Sequence, residues 1–459
     1  MSKKNKILLL FPDGVGIRNY LYSDVFKNNN SSELILFHNF DSETEADVKK
    51  RTGISEAVQI PKYKESLKEK FLRELICLSR LYHNAKKTAN PTILTNWNRE
   101  HKGFSKKTVY KTIEFIAPFI KNYKTIVRLE SAYQKAIREN EFYKEIKTIL
   151  ENVQPDTLFC SHQRALQAAT IFAAAQDLGI KTTTVIFSWD NLPKARMALR
   201  ADKYLVWSDY MKKEIALYYP EIQQSAVYVT GTPQFEFYNN PANIIDKQTF
   251  YEKYNLDPAK KIICFSGDDV KTSPDDPKYL EDIADELITS GLQNNYQILL
   301  RRCPVDLSER YKEVIKKYGN LIKEASPLWM FKNSKEWTAV YPSFDDVPLL
   351  ISTVYYSDIV VNVGSTMAFD FSMFEKPCVF INYDQEQKNV SNWSVDWIYE
   401  LQHFRSMPNR KAVFWFNKKE DFISLLQSDY NEQAMSDWRN IVLGVERNPS
   451  VEIQNVLNL

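Results

Sequence analysis

Short, continuously apolar runs recur along the 459-residue chain, and each is closed by a turn and followed by a stretch with helix-forming residues. This alternation predicts parallel sheets with both faces covered by helices, because strands buried on two sides have no polar face to show. In the first half the runs fall at 6–12, 33–38, 57–60, 157–162, 182–188, 203–207 and 226–230; KILLLF and LILF are apolar throughout. A helix at 163–178 follows the fourth run and is stopped by Gly179. A second series begins after Pro258, with strands at 261–266, 297–302, 321–323, 338–341, 358–363, 378–382 and 412–416. Helices fit between them at 277–288, 308–318, 347–356 and 366–374, and 431–445 reads as one more.

Two α/β domains are therefore expected, 1–240 and 241–430, divided near Asn239-Asn240-Pro241, with a hinge after Gly231. The remainder, 431–459, reads as a C-terminal helix packing back on the first domain. Residues 62–151 interrupt the first alternation with a Lys- and Tyr-rich, mostly helical insertion. Within it, 101–128 holds seven Lys or Arg but one acid, Glu114, interleaved with Phe115, Ile116, Phe119 and Ile120. Such a segment reads either as a solvated helix face or as a basic amphipathic surface for anionic membrane or an anionic acceptor.

Charge and composition exclude several classes. With 60 basic against 58 acidic residues the net charge is +2, too small an excess for a dedicated nucleic-acid binder. Apolar residues at 44% rule out domain-scale disorder. The five cysteines are scattered and form no Cys-x-x-Cys pair, which suits buried thiols in a reducing cytosol. The first apolar run is too short for a secretion signal, and nothing approaches the ~18 apolar residues of a membrane span. A cytoplasmic protein, peripheral at most to the inner membrane, is expected.

The candidate chemistry lies at strand ends. After the first strand, Asp13-Gly14-Val15-Gly16-Ile17-Arg18-Asn19 allows close backbone approach to an anion, but Asn19 stands where a dinucleotide fingerprint needs glycine. Asp13 reads as a turn cap or as a catalytic base. His162, in Cys160-Ser161-His162-Gln163-Arg164, reads as a proton acceptor or a packing histidine. Trp189, Asp190 and Asn191 crowd the next loop and offer a ring face and hydrogen-bonding groups to a sugar, although Asp-Asn-x-Pro is also ordinary turn chemistry. In the second half, Arg301 ends a strand, and Gly364-Ser365-Thr366 ends another before a helix carrying Asp370. Arginine and free N–H groups at a helix start can cradle a diphosphate, and Asp370 could reach a ribose. Gly267 adds a second close backbone approach. No Asp-x-Asp, His-x-x-x-His or Cys-x-x-Cys supports a metal.

With Gly14 and Gly16, the SWDNL segment at 188–192, TGTPQF at 230–235, and Gly364-Ser365-Thr366 with Asp370, the chain resembles the two-domain GT-B glycosyltransferases of bacterial surface-polysaccharide and lipopolysaccharide synthesis. Gly-x-Pro segments and Gly-Ser-Thr turns of this kind also occur in sugar 2-epimerases and polyol-phosphate polymerases. The resemblance implies two Rossmann-like doubly wound domains facing across a cleft. It implies a nucleotide-sugar donor held by Gly267, Arg301, Gly364, Ser365, Thr366 and Asp370. Gly14, Gly16, Arg18, Trp189, Asp190 and Asn191 would then meet the acceptor or the sugar, with Asp13 or His162 as base. An inverting, metal-independent transferase with no cofactor is the reading this gives, acting on a cell-surface glycan or lipid-linked acceptor. The alternatives are a nucleotide-sugar 2-epimerase, a CDP-polyol phosphotransferase, or a non-catalytic nucleotide-sugar-binding protein.

Overall fold

A computed structural model describes residues 4–27, 31–98, 103–331, 340–444 and 447–459. The chain divides into two compact units, Met1–Gln234 with Ile441–Leu459, and Phe235–Asn440.

The first unit is built on seven parallel strands: β1 (Asn5–Phe11), β2 (Ser32–His38), β3 (Glu56–Gln59), β4 (Thr157–Cys160), β5 (Lys181–Val185), β6 (Lys203–Val206) and β7 (Val227–Val229). Their order is β3-β2-β1-β4-β5-β6-β7, so winding reverses between β1 and β4. Leu8 sits opposite Ile35 on one side and Leu158 on the other, all buried, as the unbroken apolar runs require. Helices α1 (Ser42–Thr52), α2 (Leu67–Thr88), α3 (Phe104–Ile116), α4 (Tyr123–Arg138), α5 (Glu141–Val153), α6 (Ala168–Asp177) and α7 (Asp209–Tyr218) complete it. α6, AATIFAAAQD, buries every residue from Ala168 to Ala175, because small side chains let it lie close on the sheet. It starts five residues later than its periodicity suggests, since 161–167 form the turn that carries His162. After β1 the chain makes only a five-residue π-helical turn, Ile17–Leu21, closed by the Tyr22 N–H on the Ile17 carbonyl at 3.2 Å.

The insertion between β3 and β4 holds α2 to α5. α2 opens on a capping box: Ser66 Oγ accepts the Glu69 N–H at 3.2 Å, and Glu69 Oε2 accepts the Ser66 N–H at 2.7 Å. Its buried Arg80 donates to Glu130 at 2.6 Å and Glu221 at 3.2 Å and lies 4.5 Å over the Tyr219 ring, while Arg200 joins both carboxylates at 2.5 and 2.7 Å. The C-terminal helix Pro449–Leu457 belongs to this unit. Lys203 Nζ donates to the Val456 carbonyl at 2.7 Å, and Gln454 donates to the carbonyls of Asp24 and Val25 at 3.0 and 3.1 Å.

The second unit has six parallel strands, β8 (Lys261–Ser266), β9 (Tyr296–Arg301), β10 (Ile322–Glu324), β13 (Ile359–Asn362), β14 (Cys378–Ile381) and β15 (Phe414–Phe416). Their order, β10-β9-β8-β13-β14-β15, reverses between β8 and β13. The run at 338–341 was expected in this sheet. Its residues 338–339 lie outside the described ones, and β12 (Val340–Pro342) instead pairs antiparallel with β11 (Trp329–Phe331). Three-residue strands in a hairpin-like ribbon satisfy each other, so they need no place in the parallel sheet. Helices α8 (Lys247–Lys253), α9 (Asp276–Thr289), α10 (Lys312–Lys317), α11 (Asp346–Tyr356) and α12 (Met367–Ser372) lie among the strands in sequence, and the helix read at 431–445 runs Glu432–Leu443, its residue 445 lying outside the described ones. Among the described residues, no helix is long and apolar enough to cross a membrane.

Candidate functional site

Open α/β sheets bind ligands at the carboxyl ends of strands where the winding reverses, because the two flanking loops diverge there and leave a crevice. In the first unit that place lies beyond Phe11 of β1 and Cys160 of β4. Asp13 and His162 each stand two residues past one of these ends. His162 Nδ1 and Asp13 Oδ2 are 2.7 Å apart, and Asp13 Oδ1 accepts the Val15 N–H at 2.9 Å. A carboxylate at Nδ1 favours the tautomer with its proton there and leaves Nε2 as the ring's acceptor nitrogen. The His162 and Phe187 rings meet edge to face, 4.8 Å between centroids.

The two loops are stitched together. Ser161 Oγ donates to the Val15 carbonyl at 3.0 Å, and Gln167 Nε2 donates to that of Pro12 at 3.2 Å. Gly16 has a φ of 89°, and a Cβ there would stand 2.7 Å from the Cβ of Ser161, so both backbone and space demand glycine. Gly14 accepts the Ile17 N–H at 3.5 Å through its carbonyl, and half-buried Arg18 donates from Nε to Asn19 at 3.2 Å.

The loop after β5, next in the sheet, joins the same cluster. Asp190 accepts from Ser188 Oγ at 2.6 Å and Asn191 Nδ2 at 3.0 Å and pairs with Lys194. Asn191 Oδ1 accepts from Arg164 Nη1 at 3.0 Å. Trp189 and Asn191 are buried, so the Trp189 ring lies inside the unit rather than open to solvent. Burial draws the Arg164 guanidinium pKa down, against the Asp190 charge that supports it. Behind Asp190, Glu214 of α7 is 4% exposed, and neither carboxyl oxygen has a hydrogen-bond partner. Burial, with the charge of Asp190, raises its pKa well above the carboxylate range. The residue spacing held a signal for it: Met211, Ile215 and Tyr218 are the buried face of α7, and Glu214 shares their helical spacing.

In the second unit the reversal lies beyond Ser266 of β8 and Asn362 of β13. Gly267 donates its N–H to the Arg301 carbonyl at 2.9 Å, and a Cβ on it would stand 2.3 Å from the Tyr311 hydroxyl. Gly364 has a φ of 67° and would strike Ile398 and Phe404. Asn362 Oδ1 accepts the Ser365 N–H at 2.8 Å, and Ser365 Oγ accepts that of Met367 at 3.4 Å; Gly364, Ser365 and Thr366 remain half-exposed. Arg301 is buried and gives Nη2 to both oxygens of Asp346 at 3.0 Å, while its Nη1 has no hydrogen-bond partner. Asp370 is buried and accepts from the Tyr238 hydroxyl at 2.7 Å. Beside Gly267, Asp276 accepts the Asp268 N–H at 2.6 Å and the Tyr311 hydroxyl at 3.0 Å. Burial and the Asp276 charge raise the Asp268 pKa well above the usual range. This acidic knot was not read as part of a site from the residues alone. Among the described residues, no three His, Cys, Asp or Glu side chains gather as a metal ion would require.

No protein-family model and no curated protein matches the chain. Solved structures do. UDP-GlcNAc 2-epimerase from Methanocaldococcus jannaschii is similar over 99% of this chain and 98% of its own, at 11% identity and a TM-score of 0.52. A putative UDP-N-acetylglucosamine 2-epimerase from Listeria monocytogenes covers 99% and 95%, at 9% identity and 0.52. The S. aureus MnaA–UDP co-structure covers 99% and 95%, at 11% and 0.50. At such identities the likeness is one of fold, and it establishes two Rossmann-like α/β domains of the GT-B-like kind. The expectation of a glycosyltransferase is corrected here: the similar structures reported above whose names give an activity are UDP-GlcNAc 2-epimerases. Several families share this architecture, so the motifs that suggested transfer belong to the fold rather than to that reaction.

Proposed function

We propose that the chain is a nucleotide-sugar 2-epimerase acting on a UDP-N-acetylhexosamine. The observation that carries the reading is the Asp13–His162 pair, 2.7 Å apart where the winding of the first sheet reverses. The fold it shares with UDP-GlcNAc 2-epimerases, and the UDP in the S. aureus structure, support the substrate class.

Inverting the C2 centre breaks and re-forms its C–H bond: as one group takes the C2 proton, the electron pair forms a C1–C2 double bond and the C1–O bond to UDP breaks, and UDP then adds back to C1 while another group returns a proton to the opposite face of C2. His162, oriented by Asp13, is assigned the role of base; positioned groups of this sort contribute about 10²–10⁴-fold. The Asp190–Lys194 pair in the neighbouring loop is assigned the complementary proton transfer. In the second unit we assign the diphosphate to the N–H groups of Gly364, Ser365 and Thr366, to Gly267 and to Nη1 of Arg301. A ribose contact by Asp370 would use the carboxylate whose Oδ1 accepts the Tyr238 hydroxyl. Gly14, Gly16 and Arg18 are assigned to the sugar side, where the loop is held close by Ser161. Metal plays no part in the reaction so drawn.

The test is proton NMR of the full chain with UDP-GlcNAc in D2O, with no acceptor present. We expect the 2-epimer to accumulate with deuterium at C2. Asp13→Asn and His162→Asn should each slow this by about 10²-fold or more while their melting temperatures stay near wild type. UDP that protects the chain against melting, with neither exchange nor epimer, would sink the reading.

A further inference from the structure

We propose that the outer face of α3, with the turn Ala117–Phe119 that follows it, docks on a membrane surface bearing anionic headgroups. Lys107, Lys111, Phe115 and Phe119 recur at four-residue spacing and are all exposed. Phe115 is 72% and Phe119 71% exposed, and their rings lie 5.8 Å apart as one apolar point. The opposite face is spent on packing: Ile113 and Ala117 are buried, and Tyr110 meets Trp97 at 5.7 Å.

The charge distribution selects the occupant. Glu114 is the one acid between 103 and 128, and it accepts the Trp97 Nε1–H at 2.9 Å, which turns it inward. α3 is left with Lys106, Lys107 and Lys111, and the chain that follows adds Lys121 and, on α4, Lys124 and Arg128, all exposed and without an ion pair among the described residues. Within the same insertion, Lys68 pairs with Glu139 at 2.6 Å and Lys144 with Glu141 at 2.8 Å. Lys102, part of the basic run in the sequence, lies outside the described residues. Paired exposed rings ringed by uncompensated cations match the lipid interface, where aromatic side chains enter the acyl boundary and ammonium groups meet phosphates and carboxylates. Rings that project, rather than line a groove, suit a fluid surface that needs no matching shape. A folded acidic partner would have to supply a pocket for them.

Sedimentation of the full chain with vesicles tests this, using phosphatidylcholine alone and phosphatidylcholine mixed with phosphatidylserine. We expect binding to the mixed vesicles only, weakening as salt rises because headgroup attraction is screened. Phe115→Ser with Phe119→Ser should reduce the bound fraction about tenfold, and Lys107→Gln with Lys111→Gln should reduce it severalfold and flatten the salt dependence. Both pairs are exposed, so unchanged melting curves are expected. No binding to mixed vesicles at low salt overturns the proposal. So does binding that ignores the phenylalanine pair, which would mark charge adhesion alone. A dimer lost in that variant, without vesicle binding, would assign the face to a second copy of the chain.

Discussion

Glu214 is a carboxyl group with no hydrogen-bond partner, buried behind Asp190, and its raised pKa has a consequence for stability. The native state keeps a proton that the unfolded chain releases once the pH passes the ordinary value of 4.5. Stability from this group is therefore whole below that pH and is lost as the pH rises towards the folded value, at about 1.4 kcal/mol per pH unit. Glu214→Gln removes the titration. Its melting temperature should match wild type near pH 4 and exceed it by a margin that grows as the pH rises above 4.5; a margin that does not change with pH would contradict the argument. Glu214 was legible in principle as an acid at an apolar helical position. Asp13 and His162 were read as candidates because each follows an apolar run, but their contact spans 149 residues and has no local signature. Arg301 shows the converse. It was read as a phosphate ligand from its strand-end position, and only the structure reveals that Asp346 holds its Nη2.

At the level of elements, the turn after β1 ties the site together, and glycine is indispensable there for two separable reasons. A side chain at Gly16 would be in left-handed backbone, which costs about 1–2 kcal/mol, and would also meet Ser161 at 2.7 Å. Gly179 shares the positive φ, 71°, but a Cβ there would meet nothing within 4 Å. Urea unfolding of Gly16→Ala and Gly179→Ala should therefore separate the two contributions. We expect Gly179→Ala to lose about 1–2 kcal/mol and Gly16→Ala clearly more, with lowered turnover as Asp13 shifts. Equal losses would mean that the Ser161 contact yields freely. Strand positions were readable to within a residue or two almost throughout, because burial on both faces imposes unbroken apolar runs. The start of α6 was not, since the turn at 161–167 is held by side-chain bonds to other loops, such as Gln167 to the Pro12 carbonyl.

Across the molecule, the C-terminal helix completes the first unit although it follows the second in sequence. Ile453 and Leu457 are buried, and full burial of such side chains stabilises by about 1.5–3 kcal/mol each. Gly231 leaves room for Pro449, which would stand 2.7 Å from a Cβ there. Deleting 447–459 should speed hydrogen exchange in β1, β6 and β7 while the strands of the second unit keep their protection. Uniform change in both units, or none, would refute this. The alternation of apolar runs and helical stretches by itself determined two parallel α/β units and the strand ends at which the candidate residues lie, because periodicity and burial are local properties of a chain. Only the tertiary structure decided that β1 lies beside β4 and β8 beside β13, that Asp13 meets His162, and that β12 leaves the main sheet for an antiparallel ribbon. These depend on which distant segments pair, and the free energy of such pairings is shared among residues that carry no mark of their partners in sequence.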